Sequence, residues 1–252
     1  MIRIVFFIAF YCLFLTRIFA EQIDYFVIEK QAEPFQIKGD EGTHHGIISD
    51  VITEIFRNSK YQINTHAYPY LRMVMHLESG RYKNWISYGS PDWEGPQGDN
   101  LSSVPIMQTQ NILLSAKELG NSFDKLSDLN GKTVILMKGF SYPTLQDHID
   151  RGEIVEQRVN SFNSAFGIID RKLPQYAGLV TMDIRGRYNL KVSNRNIDNY
   201  VLSDFSTVIP SYQIYLSFSS EFNPEIKSFV NERLATLIAS GFVEAVIEKY
   251  KN

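Results

Sequence analysis

Apolar positions along the chain fall into short compact runs that alternate with stripes at helical spacing. The run "IDYFVIEK" (23–30) is β-branched and aromatic, which predicts a buried strand, and the polar "QAEPFQIKGDEGTHHG" after it predicts a loop. From Ile47 the apolar residues are Ile47, Ile48, Val51, Ile52, Ile55 and Phe56, one face of a helix. A strand over "YQINTHAY", a helix from about Tyr70 to Ser79 stopped by Gly80, and a strand over "NWISYG" complete a β-α-β-α-β order. That order predicts a mostly parallel sheet covered by helices.

The pattern then restarts. A Gly/Pro/Asp-rich loop, "SPDWEGPQGDN", leads to strand character in "QNILLSA", and "NGKTVILMKGFSYPTLQDHI" reads as turn, strand, glycine loop and helix. A further unit runs from "EIVEQRV" through "SFNSAFGIID" to "YAGLVTMD". Near the end come a strand, "YQIYLSF", and a helix with Asn223 as N-cap, Pro224 in its first position and Gly241 as its stop. The amphipathic "FVEAVIEKY" closes the chain. The expectation is an α/β protein of two lobes with two crossovers, residues 21–112 plus 211–252 forming the first and 113–210 the second. Ligands of open α/β sheets sit at the carboxyl ends of strands, so two facing lobes predict a cleft that closes by a hinge.

The first twenty residues change the compartment. "MIRIVFFIAFYCLFLTRIFA" carries Arg3, an apolar stretch from Ile4 to Leu15 and Ala20 before polar sequence, the order of a secretory signal peptide. Twelve apolar residues are fewer than the ~20 that span a bilayer. Cleavage is expected after Ala20, giving a periplasmic protein. It would remove Arg3 and Arg17, leaving 23 basic against 28 acidic groups, a net charge of −5. The single cysteine, Cys12, lies in this segment, so thiol and haem-attachment chemistry drop out of the mature chain. Its basic residues are scattered, which gives no footprint for nucleic acid.

The segments "EPF", "GIISDVITEIF", "DLNGKTVILMKGFS", "GLVTMD" and "NERLATLIASGFVEAVIEKY" occur in an order and spacing that resembles the family-3 periplasmic solute-binding proteins, which include amino-acid receptors of ABC importers. The resemblance runs from about Ile23 to Tyr250 and implies a type II two-lobed fold. It implies ligand contacts at Glu29, Ala32, Tyr70, Ser87, Ser90, Phe140, Ser141 and Asp183.

Residue chemistry agrees with several of these. Tyr70 offers a ring face to a ligand or an ammonium. Ser87, Tyr88 and Ser90 end a strand with hydroxyls and backbone N–H groups. Phe140, Ser141 and Tyr142 precede a helix whose positive end suits an anionic group, and Asp183 can receive an ammonium. Tyr142 reads equally as a hydrophobic staple, Asp183 as a helix cap, and Trp93 as either a lid or a loop anchor.

The chain also departs from the family pattern. The position of the carboxylate-binding arginine is Gly95, the loop 91–100 carries no basic residue, and Lys83 and Ala32 replace an acidic residue and a tyrosine. Arg72 is the candidate replacement; on a regular helix it lies about 200° round from Tyr70, so the two share a target only if that turn is loop.

His44 and His45, near Asp40 and Glu41, lack a third ligand at a metal-binding spacing, and no metal or cofactor is expected. The leading function is capture of a small polar solute by a monomeric protein and its delivery to the permease of an ABC importer. The alternatives are a sensing module for a separate membrane receptor and a dehydratase-like enzyme, for which Glu29 and Asp183 are the acid/base candidates.

Overall fold

A computed structural model describes residues 21–40, 43–120 and 123–251. The signal-peptide segment, Cys12 and Glu41 lie outside the described residues. The chain builds two five-stranded sheets from the alternation of compact apolar runs and amphipathic stripes. The first contains β1 (Gln22–Ile28), β4 (Gln62–Tyr68), β5 (Trp85–Gly89), β6 (Met107–Thr109) and β12 (Tyr212–Phe218), in the order β4-β1-β5-β12-β6. β1 runs parallel to β4 and β5, and β12 antiparallel to β5 and β6. A two-residue hairpin, β2 (Ile37–Lys38) and β3 (His44–His45), follows β1 where the sequence reads as loop.

The second sheet contains β7 (Asn111–Ala116), β8 (Thr133–Met137), β9 (Val155–Val159), β10 (Tyr176–Met182) and β11 (Tyr200–Asp204), in the order β11-β7-β10-β8-β9. Only Gln110 separates β6 in the first sheet from β7 in the second, and residues 205–211 lead back from β11 to β12.

The helices bury the stripes that the pattern predicts. On α1 (Ile47–Phe56) all six apolar positions are buried, against α7 (Pro224–Ala239) and α8 (Phe242–Lys251). Each such side chain contributes about 1.5–3 kcal/mol by leaving water. Asn223 caps α7, its side chain accepting from the N–H groups of Glu225 and Ile226, and Gly241 ends it at φ 77°. Central β5 is buried along its whole length, which is why "WISYG" is continuous rather than alternating. In the second lobe, α5 (Phe162–Ile169) buries Phe162, Ala165, Phe166 and Ile169, while α4 (Pro143–Asp150) buries only Leu145. Besides the β2–β3 hairpin, three elements depart from the sequence expectations: β6 and β11, and the single turn α3 (Pro96–Asp99) inside the loop 90–100. β11 is an edge strand, mostly half-buried, so it has no strong period to betray it.

Candidate functional site

The chain ends of several strands converge on one cavity between the lobes. α2 (Tyr70–Glu78) starts directly at Tyr70 after Pro69, so the Tyr70 ring projects from its first residue. There it stacks on Phe140 of the opposite lobe, centroids 4.8 Å apart and planes 12° from parallel. Phe140 is held by the turn between β8 and α4, where Gly139 has φ 93° and Arg158 Nη1 donates to the Phe140 carbonyl at 2.8 Å. Tyr142 folds back so that its hydroxyl accepts from the Met137 N–H at 3.2 Å, and the Arg158 guanidinium lies over its ring.

The loop after β5 supplies the other wall. Gln97 Nε2 donates to the Tyr88 carbonyl at 2.7 Å, and a Cβ at Gly89 would collide with the Gln97 backbone. Likewise a Cβ at Gly98 would strike the Trp93 carbonyl. These close approaches fold the loop onto the strand end and set the Trp93 ring edge-on to Tyr88 (5.8 Å) and Tyr212 (6.2 Å).

The resulting cavity has a volume of about 380 Å³. Six aromatic rings face it: Tyr70, Tyr88, Trp93 and Tyr212 from the first lobe, Phe140 and Tyr142 from the second. Asp92 and Glu94 stand at its edge, and Asn111 lines it from the start of β7. Burial raises the hydroxyl pKa of Tyr70, Tyr88 and Tyr142 above the ordinary tyrosine value, and pushes Tyr212 up to about 12 despite a hydrogen bond to Trp93. Asn111 is 6% exposed; the Tyr212 hydroxyl lies near it, yet its Nδ2 makes no well-formed hydrogen bond.

Of the eleven residues that the sequence nominates, Tyr70, Tyr88, Phe140, Ser141 and Tyr142 line this cavity, and Glu29, Ala32, Arg72, Ser87, Ser90 and Asp183 do not. Glu29 accepts from Lys38 Nζ at 3.3 Å. Ser87 is fully buried inside the sheet, donating to the Phe26 carbonyl, and Ser90 donates to Asp92 Oδ2 within its own loop. Arg72 is exposed on α2: because the helix begins at Tyr70, the rotation of about 200° takes the arginine to another face. Asp183 is the first residue of α6 (Asp183–Val192), where Arg187 Nε donates to both of its carboxylate oxygens at 2.8 and 2.9 Å. Ala32 is buried in the first-lobe core. Tyr142, Trp93 and Asp183 thus take up, respectively, a cavity wall, a wall that also packs on its neighbours, and a helix-start ion pair.

Arg185 is not among the residues that the sequence nominates. It is 7% exposed on α6, donates to the backbone carbonyls of Gln31 and Glu33 in the other lobe, and lies over the rings of Phe140 and Phe162. Gln31 reaches the opposite way, its Nε2 donating to the Asn160 carbonyl at 2.7 Å. The only signal available was position, three residues beyond the end of β10. Among the described residues no group of three or more His, Cys, Asp or Glu side chains could hold a metal, and no helix is long and apolar enough to cross a membrane.

No family model and no curated protein sequence matches the chain. Solved structures do. The P235GK mutant of ArgBP from T. maritima superposes with a TM-score of 0.69 at 19% identity, over 91% of this chain and 94% of that one. A substrate-binding protein of an ABC uptake transporter from Streptococcus pneumoniae, with bound histidine, gives 0.70 at 16% over 91% and 92%. A structure from work on glutathione import via GshT in Streptococcus mutans gives 0.74 at 19% over 92% and 95%. At these identities the likeness is one of architecture: the chain has the two-lobed α/β fold of type II periplasmic binding proteins.

Proposed function

We propose that this protein is an exported solute-binding protein, which captures a small polar molecule between its lobes by hinge closure and presents the closed form to a membrane transporter. The observation that carries this is the cavity itself, walled by rings from both lobes and bounded by the two connections at Gln110 and 205–211. A volume of about 380 Å³ suits a small molecule. The transport role is supported by the structural neighbours, which include the substrate-binding protein of an ABC uptake transporter. An enzymatic role is disfavoured, because Glu29 and Asp183 are engaged by Lys38 and Arg187 and neither lines the cavity.

The test is a thermal-shift screen of residues 21–252, unfolded and refolded to strip carried-over solute, against amino acids, amines, organic acids, peptides and sugars. A ligand at ~100 times its dissociation constant adds about 2.7 kcal/mol, or roughly 5–10 °C for a chain of this size. Tyr70→Ala and Tyr88→Ala should each weaken the hit more than tenfold. Full affinity in both variants, or no stabilisation by any compound, overturns the proposal.

A further inference from the structure

We infer that the cleft selects a small organic cation that carries a neutral hydrogen-bond acceptor and no free carboxylate. This rests on the reading of the cavity as a solute site. The charges on the wall point one way: Asp92 and Glu94 line the cavity, and no lysine, arginine or histidine does among the described residues. Among the described residues neither carboxylate enters an ion pair, and Asp92 accepts from Ser90 Oγ within its own loop at 3.2 Å. Six aromatic rings surround the space between, and the negative faces of such rings attract ammonium and guanidinium groups.

Two arginines stand close by without lining the cavity. Arg185 lies over Phe140 with Nε and Nη2 committed to the Glu33 and Gln31 carbonyls, and Arg158 lies over Tyr142, paired with Glu156. The faces of Tyr88, Trp93 and Tyr212 carry no such cation among the described residues. The Arg185 charge reaches the Tyr88, Tyr142 and Tyr212 hydroxyls, where it opposes the rise in pKa that burial causes, but with Nε and Nη2 committed to backbone carbonyls it does not line the cavity. A ligand carboxylate placed here would therefore be withdrawn from water without a lining cation to pair with it, beside two like charges.

The second end of the ligand is marked by Asn111. Its buried Nδ2, with the Tyr212 hydroxyl as neighbour, makes no hydrogen bond of good geometry and lines the cavity, as do Pro143 and Thr144 at the start of α4. A carboxamide donor and the partial positive charge of a helix end suit a hydroxyl or amide oxygen.

Isothermal titration of the refolded chain with two matched pairs tests this: L-argininamide against L-arginine, and choline against glycine betaine, each pair differing in the carboxylate. The neutral alcohol 3,3-dimethylbutan-1-ol serves as the uncharged counterpart of choline. The expected result is that a carboxylate-free cation binds at least tenfold tighter than its partner, that choline outbinds the alcohol if choline binds, and that Asp92→Asn with Glu94→Gln weakens the cation several-fold. Both acidic residues are exposed, so the double variant keeps its fold. Equal or tighter binding of arginine or betaine overturns the inference and leaves solute capture standing. Silence from all five compounds overturns it too, and silence from the whole thermal-shift panel overturns both.

Discussion

Replacing Arg185 by methionine should open the cleft and weaken whatever it binds. This side chain bridges the two lobes, through bonds to the Gln31 and Glu33 carbonyls and contact with Phe140 and Phe162, and on the proposed hinge reading it holds them closed. Each charge-assisted bond contributes about 1.5–3 kcal/mol, and the ring contacts about 1 more. Withdrawal of the guanidinium from water offsets several kcal/mol of that, leaving a net of about 2. Methionine keeps the aliphatic stem against the rings and loses only the charge and donors. A change of about 2 kcal/mol lowers the closed-to-open ratio roughly 30-fold, and the apparent dissociation constant rises by as much as about 30-fold where the closed form is the competent one. Titration calorimetry reads the second quantity. Small-angle scattering of the ligand-free chain reads the first, as an increase over the ~17 Å radius of gyration expected of a compact chain of this size. Scattering and affinity both within error of the parent would refute the latch, and with it the idea that these contacts favour closure.

Three further outcomes follow from the geometry. Arg72→Ala and Asp183→Asn should leave ligand affinity within twofold, since neither residue lines the cavity; a tenfold loss in either would return that residue to the site. Stability should fall as pH rises from about 10 to about 12. The buried tyrosines stay neutral in the fold while their unfolded counterparts ionise, and Tyr212, pushed up to about 12, accounts for roughly 2–3 kcal/mol of the loss. Melting temperature against pH, followed with phenolate absorbance, checks this, and full ionisation near pH 10 with the fold intact contradicts it. Asn223→Ala should cost about 1 kcal/mol by freeing the N–H groups of Glu225 and Ile226, lowering the melting midpoint by about 2–4 °C.

Much of the architecture was legible because burial imposes a period. The stripe on α1, the continuous run of β5 and the Asn223–Pro224 start of α7 each follow from a local rule that the fold has no reason to break. The site was legible only in part, because a wall residue is chosen by its neighbours in space. Tyr70, Phe140 and Tyr142 stand next to element boundaries that the pattern marks, and they line the cavity. Asn111 and Tyr212 sit at the two lobe crossings, where nothing local distinguishes a lining side chain from a strand residue. Ser87 and Ser90 show the converse: a strand-end hydroxyl looks available in sequence, but both are fully buried and neither lines the cavity.

Asp183 and Arg185 show why a two-residue offset matters at a strand-to-helix junction. Two positions apart on α6, they differ by about 200° around the helix axis, so the two cannot both face the opposite lobe. In this chain the arginine takes that face and is buried, while the aspartate turns along the helix to Arg187. A charge that could have met a ligand ammonium is thereby replaced by one that meets the backbone of the other lobe. The cavity keeps its aromatic walls and its carboxylates at Asp92 and Glu94, both contributed by the loop after β5. On the proposed reading, recognition of positive charge rests with the first lobe, while the second lobe's buried Arg185 is committed to the Gln31 and Glu33 carbonyls.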